Sequence, residues 1–202
     1  MKVRTDAKRD AILRTAGEVF LEMGYERTSM AEIAARVGGS KATLYGYFPS
    51  KEALFMTLAH QFGADHIDPA MDELMAAVDE DLTTVLERFC ERLLVFLSAA
   101  ETISAHRLVL AEAGHSDVGR LFYEAGQKQG MEIMGGYLQS LMDRGHLRQA
   151  DPVIAAQHLG SLVHSEVDHR YFYRDLPELS PEQIKGMVAR AVQVFLGGYS
   201  PR

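Results

Sequence analysis

The chain has 202 residues, 47% of them hydrophobic, with a formal net charge of −7 and a single cysteine, Cys90. That length accommodates one sizeable core, or a small domain joined to a larger one, and one cysteine excludes an internal disulfide framework. No apolar run reaches the ~18 residues of a membrane-spanning helix. The N-terminus "MKVRTDAKRDAILRTAGEVF" is charged where a secretory leader is apolar, so the expected setting is a soluble protein of a reducing cytoplasm.

The charge is unevenly distributed. Residues 1–52 hold nine Lys/Arg against seven acids, a balance of +2, which leaves −9 on the remaining 150. Such asymmetry suggests two parts with different partners, although +2 also suits ordinary solvated helix faces.

The hydrophobic period is helical throughout, and no strand pattern competes with it. Ile12, Ala16, Val19, Phe20 and Met23 share one face of a first helix that Thr5 or Asp6 can cap and Gly24 can end. Ser29 followed by Glu32 predicts a capping box for a second helix, with Ile33, Ala34 and Val37 inward and Gly38 closing it. A short third helix over 41–48 stops at Pro49, and Ser50 opens a longer one over 50–66. Helices follow over 80–98, 102–113 and 117–144, the last weakened by Gly126, Gly130, Gly135 and Gly136 by about 1 kcal/mol each relative to Ala. Asp151-Pro152 starts a helix running to Tyr173, and Ser180-Pro181 starts the last, ending at Gly197-Gly198. The expected fold class is all-α with about nine helices.

Two short helices joined by "VGGS" behind a longer one predict a helix-turn-helix. Ala34 permits close helix crossing, Gly38 suits a left-handed turn, and Val37 and Leu44 bury under the corner. The third helix then presents Ser40, Lys41, Ala42, Thr43, Tyr45, Gly46 and Tyr47 outward, as a helix entering a major groove must. Lys41 can donate to guanine acceptors or a phosphate. Thr43 offers a hydroxyl and a methyl to base edges. The hydroxyls of Tyr45 and Tyr47 suit phosphate oxygens, and Thr28, Ser29 and Lys51 lie near helix N-termini, where phosphates are favoured. Against this, Phe48 and much of Tyr45 read equally as core, and Lys41 and Thr43 as plain surface.

The run "TSMAEIAARVGGSKATLYGYFPSKEALF", with "RDAILRTAGEVFLEMGYERTSM" upstream, resembles the DNA-binding domain of TetR-type (tetracycline-repressor-like) regulators over about residues 8–60. "LVLAEAGHSDVGRLFYEAG", residues 108–126, resembles the effector domains of some AcrR-type members. The resemblance implies a helix-turn-helix domain over 1–50 and a ligand-binding and dimerisation domain over 51–202, linked by helix 50–66 as a lever. It implies a homodimer, most often a repressor, that a small molecule releases from palindromic double-stranded DNA. By motif position it implies DNA contacts for Thr28, Ser40, Lys41, Thr43, Tyr45, Tyr47 and Lys51. Gly46 and Tyr47 depart from residues frequent in the family, which leaves the operator sequence open.

In the acidic part, stripes carrying Leu159, Val163 and Val167, and Val188, Ala191 and Phe195, suit either a four-helix dimer interface or the protomer's own core. Phe62, Phe89, Phe96, Leu110, Phe122, Met131, Met134 and Tyr137 are candidates to line an effector cavity, with His106, His158 and Glu166 as polar contacts. Ten methionines suit an adaptable apolar site or effector, and equally a plain core. Cys90 reads as buried filler. Two competing classes remain. Glu112 with His115 and Glu166 with His169 match the Glu-x-x-His pairs of di-iron helical bundles, but the first pair straddles Gly114 and no partner glutamates stand out. A helical interaction module that binds no DNA is the third. No cofactor is implied, and a non-enzymatic regulator is the expectation.

Overall fold

The computed structural model describes residues 5–77 and 80–201, apart from the side chain of Phe62. Its elements are α1 (Asp6–Met23), α2 (Met30–Val37), α3 (Lys41–Tyr47), α4 (Lys51–Ala76), α5 (Leu82–Ser98), α6 (Ala100–Glu112), α7 (Val118–Phe122), α8 (Lys128–Asp143), α9 (Pro152–Ser165) and α10 (Pro181–Tyr199). A π turn over Tyr123–Gln127 joins α7 to α8, so the long helix expected over 117–144 exists with a widened turn in its middle. Counted that way the described residues form the nine helices expected. A 3-10 turn, Asp168–Phe172, follows α9, and no strand occurs among the described residues.

The helices form two compact units, Met1–Phe62 with Ser104–Gln127, and Gly63–Ile103 with Lys128–Arg202. This grouping differs from a linear division at residue 50, because α4 and α6 each begin in one unit and end in the other.

In the first unit, α1 buries Ile12, Leu13, Ala16, Val19 and Phe20, four of which share the stripe read from sequence. Phe20, Tyr25 and Phe55 form an aromatic cluster with ring centroids 5.2–5.5 Å apart. Val109 of α6 and Val118 of α7 belong to the same core. Thr5 caps α1 by accepting from the Lys8 N–H, and Gly24 ends it at φ 82°.

The second unit packs α10 between α5 and α9, with α8 on the other side of α9. Ion pairing of Glu166 with Arg190 and the 2.7 Å contact of His158 with Tyr199 show that α9 and α10 run antiparallel. Ser180 and Gln183 form a complete capping box at the start of α10.

Two element ends differ from expectation. α4 continues ten residues past His66, through Pro69. Pro69 deprives the Asp65 carbonyl of its helical hydrogen bond; both residues are exposed, while Ala70, Met71 and Leu74 beyond it are buried. Conversely α9 stops at Ser165 rather than Tyr173. The chain turns there so that Val167 and Arg170 are buried and the Arg170 guanidinium reaches the Pro177 carbonyl at 2.9 Å.

Candidate nucleic-acid interface

The reading head is built from caps inward. Ser29 accepts from the Glu32 N–H and starts α2. The reciprocal half of the expected capping box is absent, because the Glu32 carboxylate pairs with Arg36 at 2.9 Å. Arg36 also binds Glu22 of α1, which ties α2 to α1, holds the Glu22 carboxyl below its ordinary range and pushes the guanidinium up. Gly38 adopts the left-handed conformation at φ 70°, ψ 40°. The turn then releases α3, capped by Ser40, whose oxygen accepts from the Thr43 N–H at 3.1 Å and lies 2.9 Å from the Thr43 hydroxyl.

α3 is anchored from below by Leu44 and Phe48, both buried, while Lys41, Ala42 and Tyr45 are exposed. Tyr45, read as partly core, is 50% exposed. Tyr47 is the half-buried one: its ring packs on the core and its hydroxyl accepts from the Thr5 N–H at 3.0 Å. Ser29 and Ser40 are exposed, and Thr43 and Gly46 are half-buried. Two residues expected at this surface make contacts within the unit, and one of them, Thr28, is corrected to scaffold by its burial. Thr28 is 2% exposed and its hydroxyl donates to the Gly24 carbonyl at 2.7 Å. Lys51 is half-buried, donates to the Tyr25 carbonyl at 2.9 Å and sits 4.2 Å from the centre of the Tyr25 ring.

Sequence reading missed the groups that support this head from α1. The Lys8 ammonium reaches the Val37 carbonyl at 3.3 Å, and the Arg9 guanidinium lies 5.8 Å from the Phe48 ring centre. Their partners are distant in sequence and carry no local signature. Burial, then the nearby Glu52 and Glu26 carboxylates, pushes the Tyr25 phenol up.

The residues chosen for an effector cavity are divided between the two units, and those of the second unit that meet do so as core. Phe89, Met134 and Tyr137 are buried in the second unit's core, and burial raises the Tyr137 phenol. Met131 is half-buried against that core, the Phe96 ring lies tilted against His66 with centroids 5.3 Å apart, and His106 meets Phe122 edge-on at 5.1 Å in the first unit. Leu110 is corrected: it is 68% exposed and lines no interior. His158 contacts the Tyr199 hydroxyl, and Glu166 is ion-paired with Arg190. The side chain of Phe62 lies outside the described residues. A shallow surface depression lies between α4 and α5, lined by residues that include Glu73, Arg88, Phe89 and Arg92, and it encloses no cavity volume.

The dimer stripe is also corrected. Leu159, Val163, Val167, Val188, Ala191 and Phe195 are all buried inside the protomer, because α9 and α10 turn these faces to each other and to α5 and α8. An interface needs side chains that are accessible before association. Among the described residues no group of three His, Cys, Asp or Glu is gathered to hold a metal. Glu166 pairs with arginine, and His169 meets the Tyr173 ring at 5.7 Å. No single described helix is long and apolar enough to cross a membrane.

A buried-cornered pair of short helices projecting a polar, tyrosine-bearing face is a helix-turn-helix, and the class it defines is the DNA-binding transcriptional regulators. The chain belongs to the TetR family of these regulators: the bacterial TetR regulatory-protein domain matches residues 12–58, and the AefR-like transcriptional repressor C-terminal domain matches residues 84–201. The C-terminal match is thus to the AefR-like description. The flavonoid-responsive regulator FrrA is 31% identical with a TM-score of 0.78, over 98% of this chain and 100% of that one. A TetR-family regulator from Mesorhizobium loti is 28% identical with a TM-score of 0.81, over 98% and 100%. Among curated sequences, the regulator YvdT of Bacillus subtilis is 34% identical over 87 residues, 43% of this chain and 44% of YvdT. RutR of Escherichia coli K12 is 44% identical over 55 residues, 27% of this chain and 26% of RutR. The chain therefore spans less than half the length of these curated relatives.

Proposed function

We propose that this protein is a dimeric repressor that binds a palindromic DNA site and leaves it when a small molecule binds. The observation that carries the DNA reading is the arrangement of α3: Leu44 and Phe48 are buried beneath it while Lys41, Ala42 and Tyr45 face outward. The contacts proposed are Lys41, Ala42 and Thr43 at the groove and Ser29, Ser40, Tyr45 and Tyr47 at phosphates. Residues 1–50 act as the DNA-binding domain and 51–202 as the effector and dimerisation domain. α4 is their covalent link and transmits the signal. The effector must favour one of two states of the protein, since equal affinity for both shifts nothing.

The AefR-like C-terminal match, described as that of a repressor, supports repression. FrrA's description as flavonoid-responsive supports a small apolar or amphipathic effector. The proposed setting is the cytoplasm, where the DNA is. Self-association falls to the side of α9 and α10 that faces away from the core, where Ile154 and Val194 are exposed.

Selection of bound duplexes from a randomised pool tests the DNA reading. Enrichment of a palindrome is expected, and recovery of unrelated sequences overturns it. Lys41→Ala is expected to weaken the selected duplex by about 1–3 kcal/mol if it reads a base. Unchanged binding would return Lys41 to plain surface.

A further inference from the structure

α2 ends in a way that its own residues leave incomplete. The last carbonyls of a helix lack intrahelical partners and need them from elsewhere. Here the Gly38 and Gly39 N–H groups fold back to the Ala34 and Ala35 carbonyls, as a left-handed glycine turn allows. The Val37 carbonyl lies beyond that arrangement, and its partner is the Lys8 ammonium at 3.3 Å, from a residue 29 positions earlier. A cation is the favoured occupant of a helix C-terminus. On the far side of α3, the Thr5 N–H holds the Tyr47 hydroxyl at 3.0 Å, and Arg9 lies over the Phe48 ring. Within its first turn α1 therefore touches the turn before the recognition helix, the helix's last residue and the residue after it.

We propose that Lys8 is a positioning residue for DNA recognition: by capping α2 through the Val37 carbonyl, it sets the turn that aims α3, with Thr5 and Arg9 holding the other end. The inference rests on the DNA reading above. One N–H of the Lys8 ammonium is engaged on a carbonyl within the unit; its charge and other two N–H groups stay available, so the readout of binding separates this role from a phosphate contact. A phosphate contact supports every DNA sequence equally and contributes to the salt dependence of binding. A group that aims the recognition helix supports only the sequence that the helix reads. The two roles therefore have opposite signatures.

The test uses the full chain with two duplexes of equal length, the best one recovered from a randomised pool and a scrambled one, titrated by fluorescence anisotropy over a series of salt concentrations. Lys8→Met keeps the aliphatic stem and removes the donor. It is expected to lower the ratio of selected to scrambled affinity by about tenfold, the size appropriate to losing a hydrogen bond from a charged donor. Scrambled affinity and the salt slope stay as in the parent, and Lys8→Arg, which keeps a donor, recovers most of the ratio. Loss of affinity for both duplexes together, with a salt slope smaller by about one, would make Lys8 a phosphate contact and overturn the proposal, as would an unchanged ratio. Arg9→Leu provides an independent variant should Lys8→Met fail to fold. It is expected to lower the same ratio by a smaller factor, and no change overturns Arg9's part. A parent protein that discriminates no sequence overturns the DNA reading itself. A parent that discriminates, with a Lys8→Met variant that does so equally well, overturns only the positioning role.

Discussion

Gly38 and Gly39 are adjacent in sequence and do different work. Gly38 stands at φ 70° with no atom within 4 Å of where a Cβ would sit, so only its backbone conformation demands glycine. Gly38→Ala is expected to cost about 1–2 kcal/mol, read as a lower urea midpoint with an unchanged slope; an unchanged midpoint would show that the turn tolerates a side chain. Cys90 is fully buried on α5, and burial, with Glu87 nearby, pushes its thiol up to about 12. It is expected to resist thiol reagents in the folded protein and to react fully once unfolded. Rapid native labelling would contradict that placement. The functional residues divide along similar lines. Lys41 was legible as the first residue of the short helix after the turn, but its spacing of three and seven residues from Leu44 and Phe48 puts it near their face, so its exposure and that of Tyr45 were decided by packing. The burial of Thr28 and the second partner of Lys51 were not legible, because the Gly24 and Tyr25 carbonyls that they meet come into reach only when the α1–α2 turn closes.

At the level of elements, the starts of helices were more legible than their ends. Ser29, Ser40, Asp151 and Ser180 cap the helices that follow them, since a cap is a local hydrogen bond from side chain to backbone. Ser180→Ala is expected to destabilise the protein by about 1 kcal/mol, seen in chemical denaturation, because it removes the acceptor of the Gln183 N–H. The ends depended on what lay beyond the chain's local pattern. No glycine or proline occurs between Ser165 and Tyr173, so nothing local stops α9; the burial of Val167 and Arg170 does. Pro69 looks like a breaker, yet α4 runs through it to Ala76 and buries Ala70, Met71 and Leu74 beyond it. The π turn at Tyr123–Gln127 likewise has no signature beyond a glycine-weakened helix.

For the whole molecule, two properties follow. Glu22 is held low by Arg36, Glu80 by Arg88, Asp81 by the Thr84 N–H, and Glu52 and Glu182 first by their own N–H groups. Each folded-state value lies below the unfolded one, so the stabilisation is complete above the ordinary carboxylate range and is lost as pH falls through the lowered values. The melting temperature is expected to be flat above about pH 5 and to fall below it. All five groups are at the surface, so added salt should shrink the effect; a decline beginning near neutrality would point elsewhere. The second property is association. With the six stripe residues buried, Val194, 60% exposed on α10, is a better place to disrupt the proposed dimer. Val194→Asp is expected to yield a folded monomer by sedimentation, and a persistent dimer would move the interface elsewhere.

The sequence by itself determined the class of fold, the number of helices and the helix-turn-helix. All of these rest on short-range periodicity, caps and one glycine turn. Only the tertiary structure decided which way the apolar stripes of α9 and α10 face. A stripe facing its own core and one facing a partner have the same period and composition, and the difference lies in what packs against them. It also decided that Lys8 completes α2 from 29 residues away, since a donor and an acceptor so far apart meet only when the helices between them have packed.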